Sequence, residues 1–554
     1  MKPQRLFCIL LIIWMIADLL QAVFTPIHAD EAYYALYGRH LDWGYYDHPP
    51  MVALLTAFSS ILFHNNLGVR FATVILHCGT LLLTWKSLPG KERSSRDVCV
   101  FFIVASSLIM FSVYGFITTP DAPLLFFTAL FFFLYRKYTD NPSWPVAVAM
   151  GVALSAMLYS KYMAVLVIGF VLLSNLKLLR DKRVWTAVLV AAILFVPHIL
   201  WQVHNGFPSF QYHLIGRNSG FNIKYLLEYL PNQLLVYNPA SLCLAIWFCW
   251  KNRKSGNTYE RAAIFTLTGF IVFFWLMTLK GHAEPHWTVA ASIPMITILW
   301  QELRKDENRK WLAYGVTPFV FLILIVRVAA PFMLSRGLSN EFGEKHAYDV
   351  IHEYCEGKPA VFVGSFQAPS LYSFYTGDKS MQISSLYNRK TQFDLWQFDR
   401  NLQGKPACII SYSPHKYKNR KKEGFELVKT QRIEFYIHKT ESFQGTNRIQ
   451  VIVDNYSVAD NSLHLDMTLL NPYDEDFHFG NQEFPVTVHT VFLKDNKSFP
   501  VTCPLPADLV IPAGGSLKCT TTVRYIPDAQ VVICLDNVIN RSVNSKPFKI
   551  KIHD

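Results

Sequence analysis

Five short stretches of this 554-residue chain gather side chains that can move protons or hold phosphate. The first, HADEAYYALYGRHLDWGYYDHPP, sets Asp30 and Glu31 near one end and Asp47, His48, Pro49 and Pro50 at the other. The others are TTPDAP with Asp121, LYSKYM with Lys161, QYHLIGRN with His213 and Arg217, and KGHAEPHW with Lys280, His282, Glu284 and His286. The chemistry that suits them has an anionic, lipid-borne leaving group. A phosphate linked to a sugar needs cations as negative charge develops on it, and Lys161, Arg217 and Lys280 can supply them. The acceptor needs a positioned carboxylate, and Asp30, with Glu31 beside it, can take a hydroxyl proton or orient a nucleophile that is already ionised. Asp47 with His213 forms a two-ligand candidate site for a divalent metal ion.

The same loop residues would also serve as plain helix ends. Their accumulation on one side of the chain's apolar segments favours chemistry. Those segments read as 7 to 26, 67 to 85, 98 to 117, 122 to 135, 145 to 159, 162 to 176, 184 to 202, 232 to 250, 262 to 279, 287 to 301 and 311 to 330. That makes about eleven transmembrane helices, several shorter than the ~20 residues a straight span needs. With the N-terminus inside, the N-terminal residues and inner loops hold 20 Lys and Arg and the outer loops five. This asymmetry puts the motifs, and the tail after residue 335, outside the cytoplasm. Asp121 and Lys161 sit where two apolar runs meet with almost no loop to solvate them. A charge at that depth is paired or faces a cavity or substrate path, so either a structural ion pair or a functional pair fits. Asp18 reads as a helix-packing group, His77 and His198 as core histidines, and Arg327 as a residue that snorkels outward.

Composition agrees. The chain is 51% hydrophobic and only 17% charged, with a mean hydropathy of +0.21. Disorder and a set of soluble domains are both excluded. A net charge of +12 does not imply nucleic acid, because the basic residues fall between apolar runs, where they set membrane orientation. Residues 335–440 alternate short apolar runs with polar stretches, which predicts an extracytoplasmic α/β domain. Residues 441–554 repeat strand-like runs between turns rich in Asn, Pro, Asp and Gly, which predicts a β-sandwich. Of the ten cysteines, Cys503 and Cys519 flank a turn region and could bridge. The acidic run Asp474 to Asp476 follows Asn-Pro-Tyr and reads as a solvated turn. No Walker loop, dinucleotide fingerprint or HExxH motif occurs.

In their order, DEAYYALYGRHLDWGYYDHPPMVALL, TTPDAPLLFF, SKYMAVLV, HILWQVHNGFPSFQYHLIGR and LKGHAEPHW resemble the polytopic GT-C glycosyltransferases of the protein-mannosyltransferase and aminoarabinose-transferase type, the family 39-like group. FQAPSLYSFYTGD and YNRKTQFDLW in the tail resemble it too. The resemblance implies a transmembrane GT-C domain over residues 1–334 in the cytoplasmic (inner) membrane. It implies a polyprenyl-phosphate sugar as donor, and a lipid such as lipid A, a surface glycan or a protein as acceptor. By it, Asp30 takes the place of the loop carboxylate central to catalysis and Asp121 that of the second functional Asp. Lys161, Arg217 and Lys280 take phosphate-facing places. In the aminoarabinose branch a Glu-Lys-Pro-Pro motif stands where Asp47-His48-Pro49-Pro50 stands here, which gives His48 a phosphate-facing place. Two rival readings remain at this level: a transporter or flippase of lipid-linked saccharides, and a membrane scaffold whose tail does the work.

Overall fold

A computed structural model describes residues 1–550 except 91, 217–219, 340, 343, 413–423, 431–432 and 496. The chain divides into two units, Met1–Gly343 and Glu344–Asp554.

The first unit is helical. It begins with α1 (Pro3–Phe24), α2 (Ala29–Arg39), α3 (Met51–Leu62) and α4 (Leu67–Ser87). Then come α5 (Ser95–Ser107), α6 (Ile109–Val113), α7 (Asp121–Asp140), α8 (Trp144–Ser160), α9 (Ala164–Ser174) and α10 (Lys182–His204). After a short helix α11 (Pro208–Gln211) follow α12 (Ile223–Tyr237), α13 (Pro239–Lys251), α14 (Thr258–Met277), α15 (Ser292–Leu303) and α16 (Thr317–Ser335). One large apolar core joins most of them, with Tyr135, Phe270 and Trp300 fully buried in it. Outward faces of α10 and α16 carry Leu189, Ile193, Phe321 and Val328 exposed, as lipid-facing surfaces do.

Among the described residues, by length and apolarity five helices can each cross a membrane, and α12 with α13 adds a sixth if that pair, bent by 101°, is one span. The expected eleven is not reached on this measure, because several apolar runs fold as short or broken helices. The chain is nonetheless a multi-pass membrane protein. Two of the breaks meet. After α5, Leu108 turns extended before α6, and at the other break Asn238 takes φ +65° ahead of Pro239, whose ring has no N–H to continue the turn. Asn238 Nδ2 donates to the Ser107 carbonyl at 2.6 Å, so a side chain at the second break satisfies a carbonyl freed at the first.

In the second unit, β1 (Ala360–Val363), β2 (Ser380–Ile383), β3 (Ala407–Ser411), β4 (Glu426–Lys429) and β5 (Glu434–Thr440) form one sheet in the order β2-β1-β3-β5-β4. β1 pairs parallel with β2 and β3, and β5 antiparallel with β3 and β4. A three-stranded sheet of Gln450–Ala459, Ser462–Leu470 and Ser516–Arg524 lies in the same unit. A further antiparallel sheet is built on Lys497–Thr502, Thr487–Lys494 and Gln530–Asp536. The α/β and β-rich parts share a core, in which Val361, Ile383 and Ile409 pack with Phe443, Phe484 and Ile539. Arg448 and Asp399 add an ion pair between them. All ten cysteines are free thiols; the Cys503–Cys519 bridge that the spacing allowed is not formed, and Cys503 Sγ lies 3.3 Å from the Thr490 hydroxyl.

Candidate active site

α2 opens the site. His28 is its N-cap: its Nδ1 accepts from the Asp30 N–H at 3.1 Å, and the Glu31 carboxylate accepts from the His28 N–H at 3.1 Å. This reciprocal box sets Asp30 and Glu31 in the first turn, where the helix dipole favours negative charge. The segment after α16 returns to the same point, with the Ala29 N–H donating to the Glu341 carbonyl at 2.8 Å.

Two neighbours in sequence now part company. Glu31 is fully buried. Its carboxylate accepts from Arg70 Nε at 2.7 Å, from Arg70 Nη2, and from the Thr118 N–H at 2.9 Å. Arg70, also fully buried, donates onward to the carbonyls of Ala22, Thr25 and Pro26 at the end of α1. With its oxygens filled in this way, Glu31 ties α2 to α4 and to the turn before α7. Asp30 is only half-buried.

Asp121 begins α7 and Lys161 ends α8, and the two meet. Lys161 Nζ lies 2.8 Å from both Asp121 oxygens; both residues are buried. The sequence left a structural or a functional pair open, and the geometry gives the pair. Thr119 Oγ1 accepts from the Asp121 N–H at 3.3 Å and fixes the helix start.

Asp47 is buried and accepts from the Tyr37 hydroxyl at 2.6 Å. His213 Nε2 donates to the Asp47 backbone carbonyl at 2.9 Å, so these two residues meet through the main chain. His48 stands between Tyr34 and His213, at ring separations of 5.7 and 6.3 Å. Among the described residues no group of three or more His, Cys, Asp or Glu side chains is placed to hold a metal ion.

Tyr34 marks where the carboxylates converge. Burial pushes its phenol well above the ordinary tyrosine range, and the charges of Asp30, Asp47 and Asp121 push it further. Buried Tyr114 lies within the fields of Asp121, Asp30 and Glu284 and 6.4 Å from the His286 ring. Three of the five motifs therefore act on these two tyrosines, while Lys161 joins through Asp121 and His213 through Asp47 and His48. Lys280 is exposed and makes no ion pair with the described residues. Arg217 lies outside the described residues. The sequence reading overlooked Arg70, Tyr34, Tyr37 and Tyr114. Arg70 had a visible signal, a charge four residues into an apolar helix, which is costly unless paired.

The residues set aside as structural also have partners. His198 is held between the Trp43 carbonyl at 2.7 Å and the Tyr162 hydroxyl at 2.9 Å. Asp18 pairs with Arg327, so Arg327 turns inward instead of snorkelling.

Residues 47–201 match the dolichyl-phosphate-mannose-protein mannosyltransferase family. The lipid A galacturonosyltransferase RgtD of Rhizobium johnstonii is 25% identical over 285 residues, covering 49% of this chain. The match spans 59% of that relative's length. Among solved structures, ArnT from Cupriavidus metallidurans in the apo state superposes with a TM-score of 0.58 at 16% identity, covering 78% of this chain and 97% of ArnT. The same ArnT bound to undecaprenyl phosphate gives 0.57 at 15% identity, with the same coverage. The fold is that of the GT-C glycosyltransferases. Within that class, the resemblance to the protein-mannosyltransferase and aminoarabinose-transferase group holds in both sequence and fold.

Proposed function

We propose that this protein transfers a sugar from a polyprenyl phosphate to an acceptor at the outer face of the cytoplasmic membrane. The buried Lys161–Asp121 pair, together with Asp30 in the first turn of α2 and the buried Asp47 held by Tyr37, is the observation that carries this reading. The family matched over residues 47–201 uses a dolichyl-phosphate sugar by its name, and undecaprenyl phosphate is bound by ArnT; both support a polyprenyl donor. The likeness to RgtD supports lipid A as one acceptor class, beside a surface glycan or a protein.

In the reaction, the bond from the anomeric carbon to the phosphate oxygen breaks, and a bond from that carbon to the acceptor oxygen forms. Asp30 takes the acceptor hydroxyl's proton, or orients the acceptor where it is already ionised. The leaving phosphate carries away the electron pair, and Lys161, Arg217, Lys280 and His48 offset its charge. Lys161 is pre-set by Asp121, whose two carboxylate oxygens hold its Nζ in place. Glu31 positions the others.

Asp47 and His213 would offer a divalent ion at most two ligands, and the Asp47 carboxylate is already engaged by Tyr37. No step here runs through a metal, and undiminished turnover after dialysis against EDTA fits this reading. The basic residues of the inner loops support a cytoplasmic N-terminus and an extracytoplasmic tail in the inner membrane. About eleven crossings would follow, which accessibility labelling of single cysteines can count. The division of the chain into a membrane domain (1–334), an α/β domain (335–440) and a β-sandwich (441–554) belongs to the same reading, with the α/β part covering the active site or guiding the acceptor and the β-sandwich binding glycan or a partner.

A flippase of lipid-linked saccharides would not need carboxylates gathered on one side. Incubating the purified chain with a polyprenyl-phosphate sugar and acceptor separates the two: transfer yields a new glycosidic product, flipping none.

A further inference from the structure

Between α1 and α16 the membrane unit carries a cleft of about 180 Å³. Its walls are spaced alike, with Leu10, Trp14 and Ala17 on α1 and Val320, Leu324 and Arg327 on α16. Each trio runs i, i+4, i+7, one face of a helix. The ends of α5 and α6 around their break close the floor. Seven residues at 1.5 Å rise give a length of about 10 Å.

The two ends differ. Arg327 stands at one, where its Nη2 donates to Asp18 and its guanidinium lies over the Phe116 ring at 5.4 Å. Gln21 Nε2 donates to the Arg327 carbonyl at 2.7 Å. Gln21 and Arg327 lie in the later parts of their helices, and Leu10 and Val320 line the cleft two turns earlier on each. The cleft therefore runs from this polar end back toward the earlier turns of both helices.

An apolar cavity of about 150 Å³ stays dry and takes hydrocarbon. Leu324 is 51% exposed, which leaves this cleft open on its lipid-facing side. The polar end selects among hydrocarbons. Asp18 neutralises Arg327, but a guanidinium has five N–H donors, and Arg327 lines the cleft. A neutral pair with spare donors suits an ester carbonyl better than a free phosphate monoester, whose full charge would also meet the Asp18 carboxylate.

We propose that the cleft between α1 and α16 seats an acyl chain of a glycerolipid, with its ester oxygen accepting from Arg327. The site is separate from the carboxylate cluster and does not depend on the reading of that cluster.

The test is photolabelling of the full-length chain in nanodiscs, with a phosphatidylethanolamine that carries a diazirine midway along one acyl chain. Labelled peptides are mapped by mass spectrometry, and the competitors are unlabelled phosphatidylethanolamine and undecaprenyl phosphate. The expected result is saturable labelling of residues 10–17 and 320–327 that unlabelled phosphatidylethanolamine removes. Ala17→Phe and Val320→Phe, each narrowing the cleft from a different wall, should cut it at least fivefold. Labelling spread evenly over α10 and α16 without competition would mean annular lipid and would overturn the site. Competition by undecaprenyl phosphate alone would overturn the acyl assignment. The competition arms use the native sequence, so they decide even if a variant does not fold.

Discussion

One carboxylate, Glu31, accepts from Arg70 of α4 and from the Thr118 N–H three residues before Asp121. It therefore ties the helix that carries Asp30 to the turn that starts α7. Arg70 extends the tie to the end of α1 through three backbone carbonyls. Losing one partner of such a pair strands a buried charge, at a cost of about 3–5 kcal/mol.

Arg70→Met should accordingly lower the thermal unfolding temperature in detergent sharply. Arg70→Met with Glu31→Gln should be less destabilised than Arg70→Met alone, because no charge is then stranded. Equal losses in the single and double variants would show that Glu31 and Arg70 are not coupled.

At the Asp121–Lys161 pair, Lys161→Met removes a cation held 2.8 Å from both carboxylate oxygens. Turnover should fall on the order of 100-fold, the usual cost of one donor to a charge that develops in the transition state. Lys161→Arg should restore part of it. A kcat unchanged in Lys161→Met, at matched folded protein, would reduce the pair to a structural one.

Tyr34 gives a pH dependence whose sign can be worked out. Its phenol is raised above the ordinary value of 10.0 by burial and by three carboxylates, so the folded state holds the proton more tightly than the unfolded chain does. Its contribution to stability is full below about pH 10 and declines as pH rises above that value. Unfolding temperature followed from pH 9 to 11.5 should fall less steeply in Tyr34→Phe than in the native sequence. Parallel curves would contradict the burial of this phenol.

Much of the site was legible because charges at membrane depth are rare. Asp121 and Lys161 stood out for that reason, and they meet. Arg70 carried the same signal but sat inside a run that otherwise read as an unbroken apolar helix. The breaks at Leu108 and Asn238 were less visible, because the hydrogen bond that joins them spans more than a hundred residues. The tail's alternation gave strands and fold class. It could not reveal that Phe443, Phe484 and Ile539 complete the core of the preceding sheet, since such pairing depends on contacts distant in sequence.

That shared core makes a further expectation. Removing everything after residue 440 would strip Phe443, Phe484 and Ile539 from Val361 and Ile409, so the remaining sheet should lose its fold. A polypeptide of residues 344–550 should melt in one cooperative transition by calorimetry. Two separate transitions would show that its parts are independent.

The most direct measurement is transfer by the purified protein with Asp30→Asn beside the native sequence, using a polyprenyl-phosphate sugar and mass spectrometry of donor and product. Loss of transfer by about 100-fold or more, with intact donor left over and unfolding temperature unchanged, is the result expected of a catalytic base or nucleophile-orienting group. Undiminished transfer by Asp30→Asn would contradict it.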